Sequence, residues 1–127
     1  MQSIRIPAAE RTPEVEFDFA SGRLSLAGES YPEDTAAFFG PLQQALHDYL
    51  TTAPAATIEF DLRMVYFNSS SAKALMNLFR LLEEQATRGL AITIRWWYHE
   101  EDETMLESGE DFAEEFQHAQ FLLTLIT

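Results

Sequence analysis

T-I-E-F-D-L-R-M-V-Y-F at residues 57–67, followed by N-S-S-S-A-K at 68–73, is the stretch that decides how this chain folds. Ile58, Phe60, Leu62 and Met64 fall on one side of an extended chain, and Glu59, Asp61 and Arg63 on the other. That two-residue period belongs to a strand with one buried face. The run then becomes apolar through Phe67, which predicts a strand that enters its sheet half-exposed and ends buried. Asn68-Ser69-Ser70-Ser71 stops it. Beyond the serines the period changes. Ala72, Leu75, Met76, Phe79 and Leu82, widened by Leu78, make the inner face of a helix that ends at Arg88-Gly89, with a base in the last turn and a glycine after it.

Upstream, V-E-F-D-F at 15–19 puts Val15, Phe17 and Phe19 on one face, Ser21-Gly22 supplies a turn, and Leu24 and Leu26 resume the alternation. This is a hairpin signal. A loop at 28–34 leads to a helix capped by Asp34 or Thr35 and running to Leu50, with Phe38, Phe39, Leu42, Ala45, Leu46 and Tyr49 in its apolar stripe. Pro41 inside that stripe implies either a late start at Gly40-Pro41 or a kink. Downstream, L-A-I-T-I-R-W-W-Y at 90–98 is another strand, with Trp96 and Tyr98 facing one way and Trp97 the other. Met105, Leu106, Phe112 and Phe116 support an amphipathic helix, weakened by Ser108-Gly109. Residues 120–126 are a closing strand or a continuation of that helix. The order β-β-α-β-α-β-α-β predicts an α/β fold: a mixed β-sheet with helices packed over it.

The composition bounds the function. With 127 residues, 46% hydrophobic and 13% aromatic, the chain is expected to form a single domain spanning 1–127 with a real core. It has no cysteine, so disulfides, thiolate metal sites and cysteine nucleophiles are excluded. The formal net charge is −13, and nine of the acids lie between Glu100 and Glu115 with no Lys or Arg among them. The remaining 12 acids face 8 bases, leaving −4 for the rest of the chain. Nucleic acid is therefore not an expected partner. The acidic stretch is either a solvated helix face or a docking surface for a basic partner. No apolar run suits a membrane span or a signal peptide, so a cytoplasmic protein is expected. His47, His99 and His118 lie in different elements without metal-site spacing, and no phosphate-cradling glycine loop or nucleophile elbow is present. These features predict a non-enzymatic protein with no metal and no cofactor.

Three consecutive serines, 69–71, follow the strand at 57–67. One of them, Ser70 or Ser71, is expected to cap the helix. That leaves a hydroxyl at a helix N-terminus, where a phosphate is well held by free N–H groups and the helix dipole. Lys73 lies within one turn and can pair with it. Phosphorylation there adds about −1.5 to −2 charge. Tyr31-Pro32 reads as a rigid turn, with Tyr31 over the sheet.

These residues resemble a known family. G-E-S-Y-P-E-D at 28–34, V-Y-F-N-S-S-S-A-K at 65–73 and I-R-W-W-Y leading into H-E-E-D-E are similar to the SiaC family of bacterial regulatory phosphoproteins. The resemblance runs from about residue 4 to residue 125. It implies a STAS-like fold, akin to the anti-sigma-factor antagonists, with helices mainly on one face of a mixed sheet. It implies phosphorylation in the strand-to-helix loop by a partner Ser/Thr kinase, removal by a PP2C-type phosphatase, and binding of the unmodified form to a diguanylate cyclase, linking it to cyclic di-GMP and biofilm. Ser69 falls on the family's phosphoacceptor, with Ser70 as the alternative. Asn68, Ser70, Ser71 and Lys73, with Tyr31, Pro32 and Glu33, are the expected loop and partner-binding residues. The alternative is an anti-sigma-factor antagonist bound to an anti-sigma kinase in a partner-switching pathway. Against it, the D-S-x-G loop of those antagonists is replaced here by Asn68-Ser69-Ser70-Ser71.

Overall fold

The computed structural model describes residues 2–52 and 54–127. In chain order these form β1 (Ile4–Ile6), β2 (Glu14–Asp18), β3 (Arg23–Ser30), α1 (Thr35–Thr52), β4 (Thr57–Phe67), α2 (Ser69–Thr87), β5 (Ala91–His99), α3 (Glu103–Ala113) and β6 (Gln120–Ile126). The strands make one sheet in the order β1 to β6. The first three pair antiparallel, and β3 through β6 pair parallel. Tight connections suffice for the antiparallel strands, whereas each parallel step needs a crossover, and a helix supplies it. β1 is the strand that periodicity does not announce. Ile4-Arg5-Ile6 is three residues long and is followed by Pro7, too short to display alternation.

Buried positions alternate along the inner strands and share one face: Val15 and Phe17, Leu24 and Leu26, Ile58, Phe60 and Leu62, Ile92, Ile94 and Trp96. Leu42 and Leu46 of α1, Leu75, Phe79 and Leu82 of α2 and Phe112 of α3 complete the same core. The other face is polar. Arg95 donates to Glu59 at 2.8 Å and approaches Asp61 at 3.7 Å. The Trp97 indole N–H donates to Asp61 at 2.7 Å, and the Arg63 guanidinium lies 4.4 Å from the Trp97 ring centroid. The bond from Arg95 holds the Glu59 carboxyl below its usual range.

The structure resolves four open points. The first helix does not start late. The Asp34 carboxylate accepts the Ala37 N–H at 3.0 Å, so α1 begins at Thr35 and carries Pro41 on an exposed side. Ser108-Gly109 does not break α3, because Gly109 is where that helix meets the core. A Cβ there would sit 2.5 Å from Trp96 Cδ1 and 2.8 Å from Nε1. The buried indole is fixed by its own bond to the Met105 carbonyl at 2.9 Å. Third, residues 120–126 are a strand. The Glu83 carboxylate accepts the N–H groups of Gln117 at 3.1 Å, His118 at 3.2 Å and Ala119 at 2.9 Å, holding the chain extended as it enters β6.

The fourth point corrects the reading of β4, whose apolar end is not a continuous buried run. Gly28 pairs with Met64 but Glu29 pairs with Tyr66, leaving Val65 as an extra residue. This is a β-bulge. It reverses the parity of the strand, so Phe67 turns into the core against Trp96, with ring centroids 5.7 Å apart. Val65 and Tyr66 are left 67% and 51% exposed. Among the described residues, no helix is long and apolar enough to cross a membrane.

Candidate functional site

The bulge delivers the chain into the serine loop, where the expected cap is corrected. Neither Ser70 nor Ser71 is the N-cap of α2. Asn68 is, in an extended conformation (φ −87°, ψ 177°). Its Oδ1 accepts the Ser71 N–H at 2.9 Å and the Ser70 hydroxyl at 3.1 Å. The short amide side chain is well suited to this task. Asn68 also donates its own N–H to the Ser30 carbonyl at 3.1 Å, extending the β3–β4 ladder by one bond.

Each serine thereby receives a different environment. Ser71 is fully buried, and its hydroxyl lies 2.8 Å from that of Ser30, also fully buried, at the end of β3. Ser70 is exposed, but its hydroxyl lies 2.8 Å from Thr35 Oγ1, tying the start of α2 to the start of α1. Ser69 is the first residue of α2 and is exposed, and its hydroxyl makes no hydrogen bond to another described residue. Ser69 is therefore the serine whose hydroxyl is both accessible and uncommitted. Two helix N-termini converge beside it, those of α1 and α2, each with a partial positive charge. Lys73 lies one turn along α2 and is exposed.

The remaining candidates surround this corner. The Tyr31 ring packs edge-on against Tyr66, with centroids 5.9 Å apart, and its N–H donates to the Arg11 carbonyl at 2.8 Å. Pro32 follows half-buried, and exposed Glu33 takes an ion pair from Arg11 at 2.9 Å. The loop at 31–34 thus reaches the serines through Tyr66 and Thr35, two residues that periodicity does not single out. Val65 was missed as well. The signal for Val65 and Tyr66 is the point where alternation fails after Met64, which marks a bulge and not burial; Thr35 stands out only as a helix-cap candidate. Among the described residues, no three His, Asp or Glu side chains gather as metal ligands.

Comparison with known proteins places this architecture. A family model described as the SiaC family of regulatory phosphoproteins matches residues 6–126. The chain belongs to the SiaC family. SiaC of Pseudomonas aeruginosa is 33% identical and superposes with a TM-score of 0.91, over 99% of this chain and 100% of that one. A structure of Pseudomonas aeruginosa SiaC in complex with the diguanylate cyclase SiaD, of which it is described as the activator, matches at 34% identity and a TM-score of 0.91, over 97% and 99% of the two chains. An uncharacterised protein of Pseudomonas aeruginosa strain UCBPP-PA14 is 36% identical over 115 residues, 91% of this chain and 90% of its own length. This SiaC-family chain is thus a mixed α/β regulatory protein that matches these relatives over nine-tenths or more of its residues.

Proposed function

We propose that this protein is a phosphorylation-controlled regulator that binds a protein partner through the corner around Ser69, and that the partner is a diguanylate cyclase. The observation that carries the reading is the separation of the three serines: one buried, one bonded to Thr35, and Ser69 exposed with a free hydroxyl. A kinase can reach Ser69 without unfolding α2. The phosphate then sits at two helix N-termini beside Lys73, where the charge is favoured. Val65 and Tyr66 supply exposed apolar surface next to it, backed by the half-buried Tyr31 ring, the kind that anchors an interface. A dianion placed at the edge of that surface must be desolvated for the partner to seat, so modification weakens binding. The cyclase assignment rests on the SiaD complex of the relative. A STAS-like reading of the fold suits this role, since it places the switch at a strand-to-helix junction.

Intact-mass analysis after incubation with the cognate Ser/Thr kinase is the direct test. The wild-type protein and Ser70→Ala are expected to gain one phosphate, and Ser69→Ala none. A Ser69→Ala protein that still gains one sinks the assignment. Recovery of an anti-sigma kinase in place of a cyclase as the bound effector would replace the partner reading.

A further inference from the structure

β6 is the last strand of the sheet, and among the described residues nothing pairs with its outer edge. Its sequence, Q-F-L-L-T-L-I, has neither charge nor proline. Sheet edges are ordinarily protected by Lys, Pro, a bulge or a covering element, because their unpaired N–H and C=O groups template the addition of another strand. None of the side-chain devices is present here. The register with β5 runs without a bulge from Gln120 to Ile126. Leu122, Leu123 and Leu125 are 43%, 38% and 41% exposed, on both faces of the strand. By contrast, the edge strand at the other end of the sheet is only three residues long and carries Arg5.

The surroundings of this edge select its occupant. α3 lies over β6: Leu123 Cδ2 is 2.7 Å from where a Gly109 Cβ would be. Glu103, Glu107, Glu110 and Asp111 of α3 are exposed and make no ion pair with another described residue. After Arg95 the sequence contains no Lys or Arg. A second copy of the chain would bring two such acidic ends together at a net charge of −13 each, which opposes self-pairing. We propose that the β6 edge is a second docking site, on which a protein partner adds an extended segment alternating apolar and basic residues. The backbone ladder and the leucines provide attachment, and the α3 carboxylates select for Lys or Arg. The site is independent of Ser69, the first residue of α2, which follows a strand two places away in the sheet.

The probe is a synthetic peptide of about ten residues, a strand's length, alternating Lys with Val and Ile. Hydrogen–deuterium exchange of the intact protein is the readout. The peptide is expected to slow exchange of the outward-facing amides of 120–126 at least tenfold, with one protein per complex by sedimentation. The same peptide with Glu in place of Lys is expected not to bind. The double substitution Leu122→Asn/Leu125→Asn keeps every acidic charge and alters only exposed side chains. It is expected to weaken the peptide at least tenfold, while Ser69→Ala leaves its affinity unchanged. Protection confined to α3, or equal binding to the leucine variant, would show charge attraction alone and overturn the proposal. Protection of β6 in the free protein at high concentration, with dimers in the centrifuge, would assign the edge to a second copy instead.

Discussion

The buried pair Ser30–Ser71 decides how rigidly the serine loop is held, and it can be weighed by a double-mutant cycle. The hydroxyls are 2.8 Å apart, both residues are fully buried, and the link joins the end of β3 to the first turn of α2 across 41 residues. Replacing Ser71 with Ala removes this bond and leaves the Ser30 hydroxyl buried without it, a loss of about 1–3 kcal/mol. The better helix propensity of Ala returns at most a few tenths of a kcal/mol. Ser30→Ala strands the other hydroxyl and loses about 1–3 kcal/mol by the same reasoning. Removing both leaves no unpaired group and only two small voids, so the double variant is expected within about 1 kcal/mol of wild type. The coupling energy is the sum of the two single losses less that of the double variant, about 1–3 kcal/mol when each single loses about 1–2, towards the upper part of the roughly 0.5–3 kcal/mol known for contacting residues. Urea unfolding followed by the fluorescence of Trp96 and Trp97 reads each corner of the cycle. For a chain of this size each kcal/mol also shifts Tm by about 3–5 °C. A double variant that loses the sum of the two singles would refute the reasoning, because the hydroxyls would then act separately.

Three further expectations concern stability. Gly109→Ala is expected to lose about 1–2 kcal/mol in the same unfolding assay, since overpacking against the fixed Trp96 exceeds the roughly 1 kcal/mol of helix propensity that Ala adds. Asn68→Ala is expected to cost about 0.5–2 kcal/mol through loss of the α2 cap, whereas Asn68→Asp retains most of it. The Glu83 carboxyl is pushed up by burial, but the N–H groups of Ala119 and Gln117, together with the His118 ring and N–H, outweigh this and leave it below its usual value of 4.5. A depressed folded pKa contributes stability above the unfolded value that is lost as pH falls through the folded one. Glu83→Gln is therefore expected to be less stable than wild type at neutral pH, and the gap to narrow below about pH 4. A gap that stays constant from neutral to acid would disprove the Glu83 account.

Much of the fold was legible because its strands bury one face and its helices one stripe. Ile58 through Met64, Ile92 through Trp96 and Leu75 through Leu82 all pack as their periods require. What escaped depended on contacts between distant residues. The bulge at Val65 is set by where Gly28 and Glu29 pair across β3, information that β4 does not contain. The choice of Asn68 over two serines as the cap follows from Ser70 being drawn to Thr35 and Ser71 to Ser30, partners 35 and 41 residues away. Glycine in α3 looked like a helix breaker and proved to be the contact point for an indole thirteen residues earlier. At the candidate site, the serine loop stood out in the sequence, but the division of labour among its hydroxyls did not.

Under the proposed Ser69 switch, that division would let a small charge act on a strongly acidic protein. A phosphate adds about −1.5 to −2 to a total already at −13, a change too small to alter long-range attraction or repulsion much. The effect must be local. Ser69 follows Asn68, whose bonds fix the start of α2, and Tyr66, whose ring is exposed three residues away. In the proposed switch a dianion on Ser69 would be held by the helix termini and stay hydrated on its outer side, beside the exposed Val65 and Tyr66. Displacing that hydration opposes docking directly, without any movement of the fold. A switch of this kind is expected to change partner affinity while leaving the structure of the free protein unaltered, and amide spectra of the two forms that differ beyond the serine loop and its immediate neighbours would exclude it.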